Sequence, residues 1–75
     1  MRDELTLTFP SPLLAQEFEQ EILKNLWGDP YRIDEKIVVD VSPRRLSLII
    51  NHLKTIGKNV LVTLDSMGDK TTIEI

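Results

Sequence analysis

Hydrophobic and polar residues alternate along 4–9, which is the pattern of a strand with one buried face. Leu5, Leu7 and Phe9 fall on one side of this predicted strand, and the residues between them are polar. We therefore expect a strand that packs one face on a hydrophobic core and leaves the other face in contact with solvent.

The apolar spacing changes to a helical one over 12–27. Ser11 is a suitable N-cap for this helix, and Pro12 suits the first helical position, where its missing N–H costs nothing. Gly28, followed by Pro30, is expected to end the helix. The apolar stripe of the predicted helix consists of Leu14, Phe18, Ile22 and Leu26.

The second half of the chain repeats these patterns. Residues 37–41 are rich in β-branched side chains and predict a strand, after which Ser42 and Pro43 open a second predicted helix. The segment SMGDK is a turn between two further strands, which we expect to pair as a hairpin. The last two strands are predicted over 59–65 and 71–75, and the polar connection 29–36 includes a short extended piece at 31–33.

The predicted element order is β-α-β-α-β-β, within a single small α+β domain that spans residues 1–75. We expect a two-layer sandwich with a four-stranded mixed sheet and two helices on one face. A helical crossover joins the first two strands, so these are expected to lie parallel. The last two strands are expected to be antiparallel.

Composition and charge narrow the classes of function. The chain has nine basic and twelve acidic residues, and its net charge of −3 argues against nucleic-acid binding over the whole surface. The absence of cysteine excludes disulfides, thiolate nucleophiles and thiolate-bound metals, and it favours the cytoplasm. No apolar run approaches the ~20 residues of a membrane span, so no membrane association is expected. We expect no catalytic residue, metal or cofactor.

The stretch FPSPLL resembles the start of the first helix in the TusA/SirA-like sulfur-carrier family. Pro10 and Pro12 match the two prolines of that family's Cys-Pro-x-Pro motif, and the segment from SPRRL to the C-terminus is similar in layout to its later elements. The resemblance implies a shared fold. Phe9 stands where the family has its persulfide-carrying cysteine, so the sulfur-carrier activity is not implied.

The stretch LTLTFPSPLLAQEF also resembles the start of the Pcc-type small subunit of the KEOPS transfer-RNA modification complex. That resemblance implies that Leu46, Asn51 and Leu53 lie on a dimerising helix. The family ends in its second helix, whereas this chain continues into two predicted strands, and we rank this resemblance second.

The second predicted helix carries the candidate anion-binding or partner-binding residues. Arg44 and Arg45 fall in its first turn, where free backbone N–H groups attract anions such as phosphate or carboxylate. The competing interpretation is a solvated turn whose arginines pair with nearby carboxylates, such as Asp40. Further candidates on the helix or just after it are His52, Lys54 and Lys58.

Two aromatic residues flank the Gly-Asp-Pro turn after the first predicted helix. Trp27 either caps the core or joins Leu23 and Tyr31 in an exposed apolar patch, which would mark an interface. These three residues are therefore the candidates for an interaction surface.

The function that these patterns favour is a non-catalytic adaptor domain that binds another protein or itself. The alternatives are an RNA-binding module that uses the basic side of the second helix, and a sulfur-relay accessory protein without the carrier cysteine. The final predicted strand, TTIEI, carries few charges, and a second copy could pair with its free edge through backbone bonds. We therefore expect self-association at high concentration.

Overall fold

The chain folds into two helices and five strands, which a computed structural model describes over residues 3–56 and 59–75. The α+β class that the sequence predicts is confirmed. The strands are β1 (Asp3–Thr8), β2 (Tyr31–Ile33), β3 (Lys36–Val41), β4 (Leu61–Ser66) and β5 (Asp69–Glu74), and the helices are α1 (Pro12–Asn25) and α2 (Pro43–Ile56).

The five strands form one sheet in the order β2-β3-β1-β4-β5, and every neighbouring pair is antiparallel. The prediction of four strands in a mixed sheet was wrong in both respects. The first two predicted strands, β1 and β3, lie antiparallel, with Leu5 opposite Val39. The short β2 explains the difference, because its hairpin with β3 adds one reversal of chain direction after α1. Hairpin pairing of β4 with β5 was predicted correctly.

The first six elements follow the order of the ferredoxin-like, or split β-α-β, arrangement. Strands β1 and β2 run in the same direction with β3 between them, and β3 and β4 run in the same direction with β1 between them. Strand β5 extends this arrangement at the β4 side. Arg32 of β2 joins the sheet to α1, because its Nε lies 3.2 Å from Oε1 of Glu19.

Helix α1 begins as the sequence predicts and ends earlier. The Ser11 Oγ accepts a hydrogen bond from the Leu14 N–H at 3.3 Å, and Pro12 occupies the first turn. At the other end Leu26 adopts a left-handed conformation, with φ of 57°, and its N–H bonds back into the helix. Leu26 therefore acts as the C-cap and is exposed, although its spacing placed it in the apolar stripe.

One hydrophobic core lies between the helices and one face of the sheet. In this face Leu5 lies opposite Val39 and Leu64, and Leu7 lies opposite Ile37 and Val62. Both helices contribute to the same cluster, so they cover the same sheet face. The expected burial of Phe9 is confirmed. The buried hydrophobic residues are Leu5, Leu7, Phe9, Ala15, Phe18, Ile22, Ile37, Val39, Val41, Ile49, Leu53, Val60 and Val62.

Candidate functional site

The hairpin that carries β5 turns through two residues, Met67 and Gly68, between the opposed residues Ser66 and Asp69. Met67 has φ of 54° and Gly68 has φ of 89°. Positive φ at both central positions is the requirement of a type I′ turn, whose twist matches that of the flanking strands. Strand β5 therefore folds directly back along β4, with residue-to-residue pairing over its whole length.

Strand β5 lies at the end of the sheet order, and all six of its residues are exposed. Its backbone orientation follows from the residue after it, because Ile75 and Val60 exchange two hydrogen bonds of 2.9 and 3.1 Å. The N–H and C=O of Ile75 therefore point toward the β4 side. Since successive residues of a strand point these groups in alternate directions, the backbone groups directed out of the sheet belong to Lys70, Thr72 and Glu74.

The side chains of these three residues lie on the sheet face that the helices do not cover. The Thr72 hydroxyl lies 3.2 Å from the hydroxyl of Thr63, its opposed residue on β4. Lys70 lies opposite Asp65. The β5 edge thus presents one cation, one hydroxyl and one carboxylate in a row, each beside an outward-pointing backbone amide.

The uncovered sheet face, which we call the open face, is mixed in character. Its exposed apolar members are Tyr31, Ile33 and Leu61, and Thr6 and Thr8 separate them across the sheet. Carboxylates line up at the other end of β1, where Glu4 lies opposite both Asp40 and Asp65. The open face is therefore acidic at one end and apolar at the other.

Arg44 and Arg45 lie exposed at the start of α2. Arg45 lines a surface cavity of about 450 Å³, together with Asp29 and Asp40. Two acidic residues and one arginine therefore line this cavity, so the local charge does not favour a phosphate. The remaining lining residues are Leu26, Gly28 and Ser42.

His52 is half-buried in a chain of aromatic rings. Its ring centroid lies 5.5 Å from that of Phe18 and 5.5 Å from that of Trp27, and Phe18 in turn lies 5.4 Å from Phe9. His52 and Phe18 also line a groove of about 280 Å³ between the two helices. The remaining lining residues are Phe9, Leu14, Glu17, Glu21 and Ile56. Both aromatic contacts favour a packing role for His52.

The basic candidates of the second helix do not share one helix face. Arg45 and Lys54 are nine residues apart, which is about two and a half helical turns, so they lie on opposite sides of α2. The ring of His52 instead contacts those of Phe18 and Trp27. Lys58 lies outside the described residues.

The three candidate interface residues are placed in different surroundings. Trp27 is half-buried against the core, and its ring meets that of His52 in a T-shaped contact in the helical layer. Tyr31 is 65% exposed and lies opposite Val38, on the open face of the sheet. Leu23 is exposed on α1. The helix-side packing of Trp27 therefore separates it from Tyr31.

The candidate residues selected from the sequence omit Lys70, Thr72 and Glu74. The sequence does point to this region, because its final alternating segment predicts an exposed edge strand. Which alternate backbone groups face outward depends on the pairing of β5 with β4. That pairing is visible only in the folded sheet.

Within residues 3–56 and 59–75, no group of three or more histidine and acidic residues has an arrangement that could hold a metal ion. Neither α1 nor α2 combines the length and the apolar character needed to cross a bilayer.

Comparisons with protein-family models, with curated proteins and with solved structures found no match. The function must therefore be argued from the residues themselves.

Proposed function

We propose that this protein is a non-catalytic interaction domain that binds a protein partner by accepting an added strand at the free edge of β5. The observation that carries the proposal is the row of outward backbone amides at Lys70, Thr72 and Glu74. An extended segment can bond to such a row through its main chain, while alternate side chains give specificity.

The other edge of the sheet is a poorer acceptor. Strand β2 has only three residues, and Pro30, which has no N–H to donate, comes directly before it. The Arg32 side chain of β2 is also engaged with Glu19. Strand β5 has six residues and contains no proline, so it offers the longer row of free backbone groups.

The side chains beside the outward amides define the chemistry of the partner. Lys70 favours an acidic residue opposite it, and Glu74 favours a basic one. Between them Thr72 favours a small or hydroxyl-bearing residue, which can join the Thr63–Thr72 hydroxyl pair. The expected partner is therefore an extended segment that has an acidic and a basic residue with three residues between them.

The positions of the remaining polar side chains support a binding role over a catalytic one. His52 packs between Phe18 and Trp27. Arg45 lies at a separate cavity near the start of α2. A catalytic site needs its acid, base and charge-stabilising groups within hydrogen-bond reach of one substrate, and these side chains do not converge in that way.

Two alternatives from the sequence have weaker geometric support. RNA binding by α2 would need its cations on one side, whereas Arg45 and Lys54 lie on opposite sides. A sulfur-relay role would use the start of α1, where the buried Phe9 packs on Phe18.

A selection from a random heptapeptide library displayed on phage tests the proposed function. We expect the selected peptides to bind wild-type protein, to bind Thr72→Ala equally or only somewhat more weakly, and to lose binding to Thr72→Pro. Proline removes an outward N–H that forms no bond with β4, so the hairpin keeps its internal bonds. The melting temperature of each variant checks that the fold is retained.

Amide hydrogen exchange supplies a second measurement that needs no substitution. Binding of a selected peptide should slow exchange at Lys70, Thr72 and Glu74 more than at residues of β2. Peptides that bind Thr72→Pro as well as the wild type, or that leave these three amides unprotected, would overturn the proposed function. A selection that yields no binding peptide, from a protein that also stays monomeric at near-millimolar concentration, would do the same.

A further inference from the structure

We infer that the strand added to β5 is β5 of a second copy of this chain, paired antiparallel about a two-fold axis that passes through the Thr72 positions. In this register Lys70 of each copy lies opposite Glu74 of the other. The inference rests on the proposed function, since it names the occupant of the same edge.

The backbone restricts the registers that two identical edges can adopt. Opposed residues in an antiparallel pair exchange two hydrogen bonds only when the N–H and C=O of both point into the gap. The residues of β5 that meet this condition are Lys70, Thr72 and Glu74. A two-fold dimer uses the same patch on both copies, so outward residues must oppose outward residues.

In the register centred on Thr72, every outward residue of the strand pairs with an outward residue of the other copy. Thr72 then opposes Thr72, and Lys70 opposes Glu74 on either side of it. A shift in either direction moves one end of the outward row past the end of its counterpart, so backbone bonds are lost. Backbone bonding alone therefore favours the register centred on Thr72.

The charges select the same register independently. Centring on Thr72 places a cation opposite a carboxylate twice, and such pairs stabilise neighbouring strands. Centring on Lys70 or on Glu74 would place like charges opposite each other. Centring on the intervening residues, Thr71 or Ile73, would pair a charged side chain with Thr72. Backbone hydrogen bonding and charge pairing therefore both favour the register centred on Thr72.

This pairing also covers apolar surface on the helix side of β5. Ile73 is 49% exposed, and in this register it lies opposite Thr71 of the partner subunit. Its apolar surface is then partly covered by the methyl group of the threonine. Because the two-fold axis is perpendicular to the sheet, two five-stranded sheets join into one, with all four helices on the same side.

Sedimentation equilibrium over a range from micromolar to near-millimolar protein tests the inference. We expect the wild type to dimerise, and Lys70→Glu and Glu74→Lys each to weaken the dimer by about tenfold or more, since two cross-strand pairs become like-charge pairs at once. The double variant K70E/E74K exchanges the two charges and should restore dimerisation. Only a register that opposes position 70 to position 74 predicts this restoration.

The control variant is Lys36→Glu, which makes the same change in net charge on β3, away from the edge. It should leave the dimer dissociation constant within about twofold of the wild-type value, because its charge lies beyond the screening length of the paired strands. Thr72→Pro should abolish the dimer. Thermal unfolding of each variant separates a weakened dimer from a weakened fold.

The possible results separate this inference from the proposed function. A protein that stays monomeric at near-millimolar concentration overturns the inference, and so does a dimer that Thr72→Pro and both charge reversals leave unchanged. In either case, selected peptides that still bind the β5 edge and fail to bind Thr72→Pro preserve the proposed function. Failure of the double variant to restore dimerisation overturns the register.

Discussion

The rings of Phe9 and Phe18 lie 5.4 Å apart between their centroids, at an interplanar angle of 42°. Phe9 directly follows β1, and Phe18 lies near the middle of α1, so this contact packs the end of the first strand against the first helix. Both side chains are buried. Phe9 is therefore part of the core in this protein.

Truncation of Phe9 should strongly destabilise the protein. Phe9→Ala removes a buried ring and leaves a cavity against Phe18, so we expect the free energy of unfolding to fall by about 3–5 kcal/mol. Urea unfolding measures this change. The control is Leu13→Ala, which truncates a side chain that is 64% exposed and should cost far less. Equal costs for the two variants would contradict the packing role of Phe9.

The two Ser-Pro helix starts should respond differently to loss of the serine. The Ser11 Oγ accepts the Leu14 N–H, whereas among the described hydrogen bonds Ser42 contributes only its backbone carbonyl, to the Leu46 N–H. We expect Ser11→Ala to lower the free energy of unfolding by about 1 kcal/mol, and Ser42→Ala to lower it by less than about half of that. Thermal and urea unfolding of both variants compare the two caps. An equal loss would show that the side-chain cap has no effect.

The β4–β5 turn should accept a stabilising substitution. Met67 is 81% exposed and has φ of 54°, a conformation that asparagine adopts more readily. Met67→Asn should raise the free energy of unfolding by about 0.5–1 kcal/mol, as single turn optimisations commonly do. Met67→Val is the opposing control, because a β-branched side chain is strained at positive φ. A gain in stability for Met67→Val would contradict the type I′ turn.

The cavity beside Arg45 should not bind phosphate. Asp29 and Asp40 line the same cavity and repel an anion. Titration with inorganic phosphate, followed by NMR, should therefore give no saturating shifts at Arg45 or its neighbours. Asp40→Asn is the informative variant, since it removes one of the two carboxylates and should increase any phosphate response. Saturable binding to the wild-type protein would restore the anion-site interpretation of Arg44 and Arg45.

Local patterns predicted most of the elements because they depend on near neighbours in sequence. The helical spacing of Phe18 and Ile22, and of Ile49 and Leu53, identified the buried face of each helix. Alternation in β1 identified its core side. Leu26 shows the limit of this reasoning, because its left-handed backbone turns it away from the stripe that its spacing predicts.

Strand direction and strand order were decided only by the tertiary structure. Whether residues 31–33 form a strand depends on pairing with β3, and that one pairing converts a parallel arrangement of β1 and β3 into an antiparallel one. A three-residue segment is too short to carry a periodicity of its own.

The candidate site on β5 was also predicted only in part from the sequence. The sequence by itself determined that the final segment, 71–75, alternates and that Thr72 and Glu74 lie on one side of it. The tertiary structure decided that β5 is an edge strand and that its free amides are those of Lys70, Thr72 and Glu74. The physical reason is that side-chain alternation is a local property of extended backbone, whereas the direction of each backbone amide depends on the neighbouring strand to which it bonds.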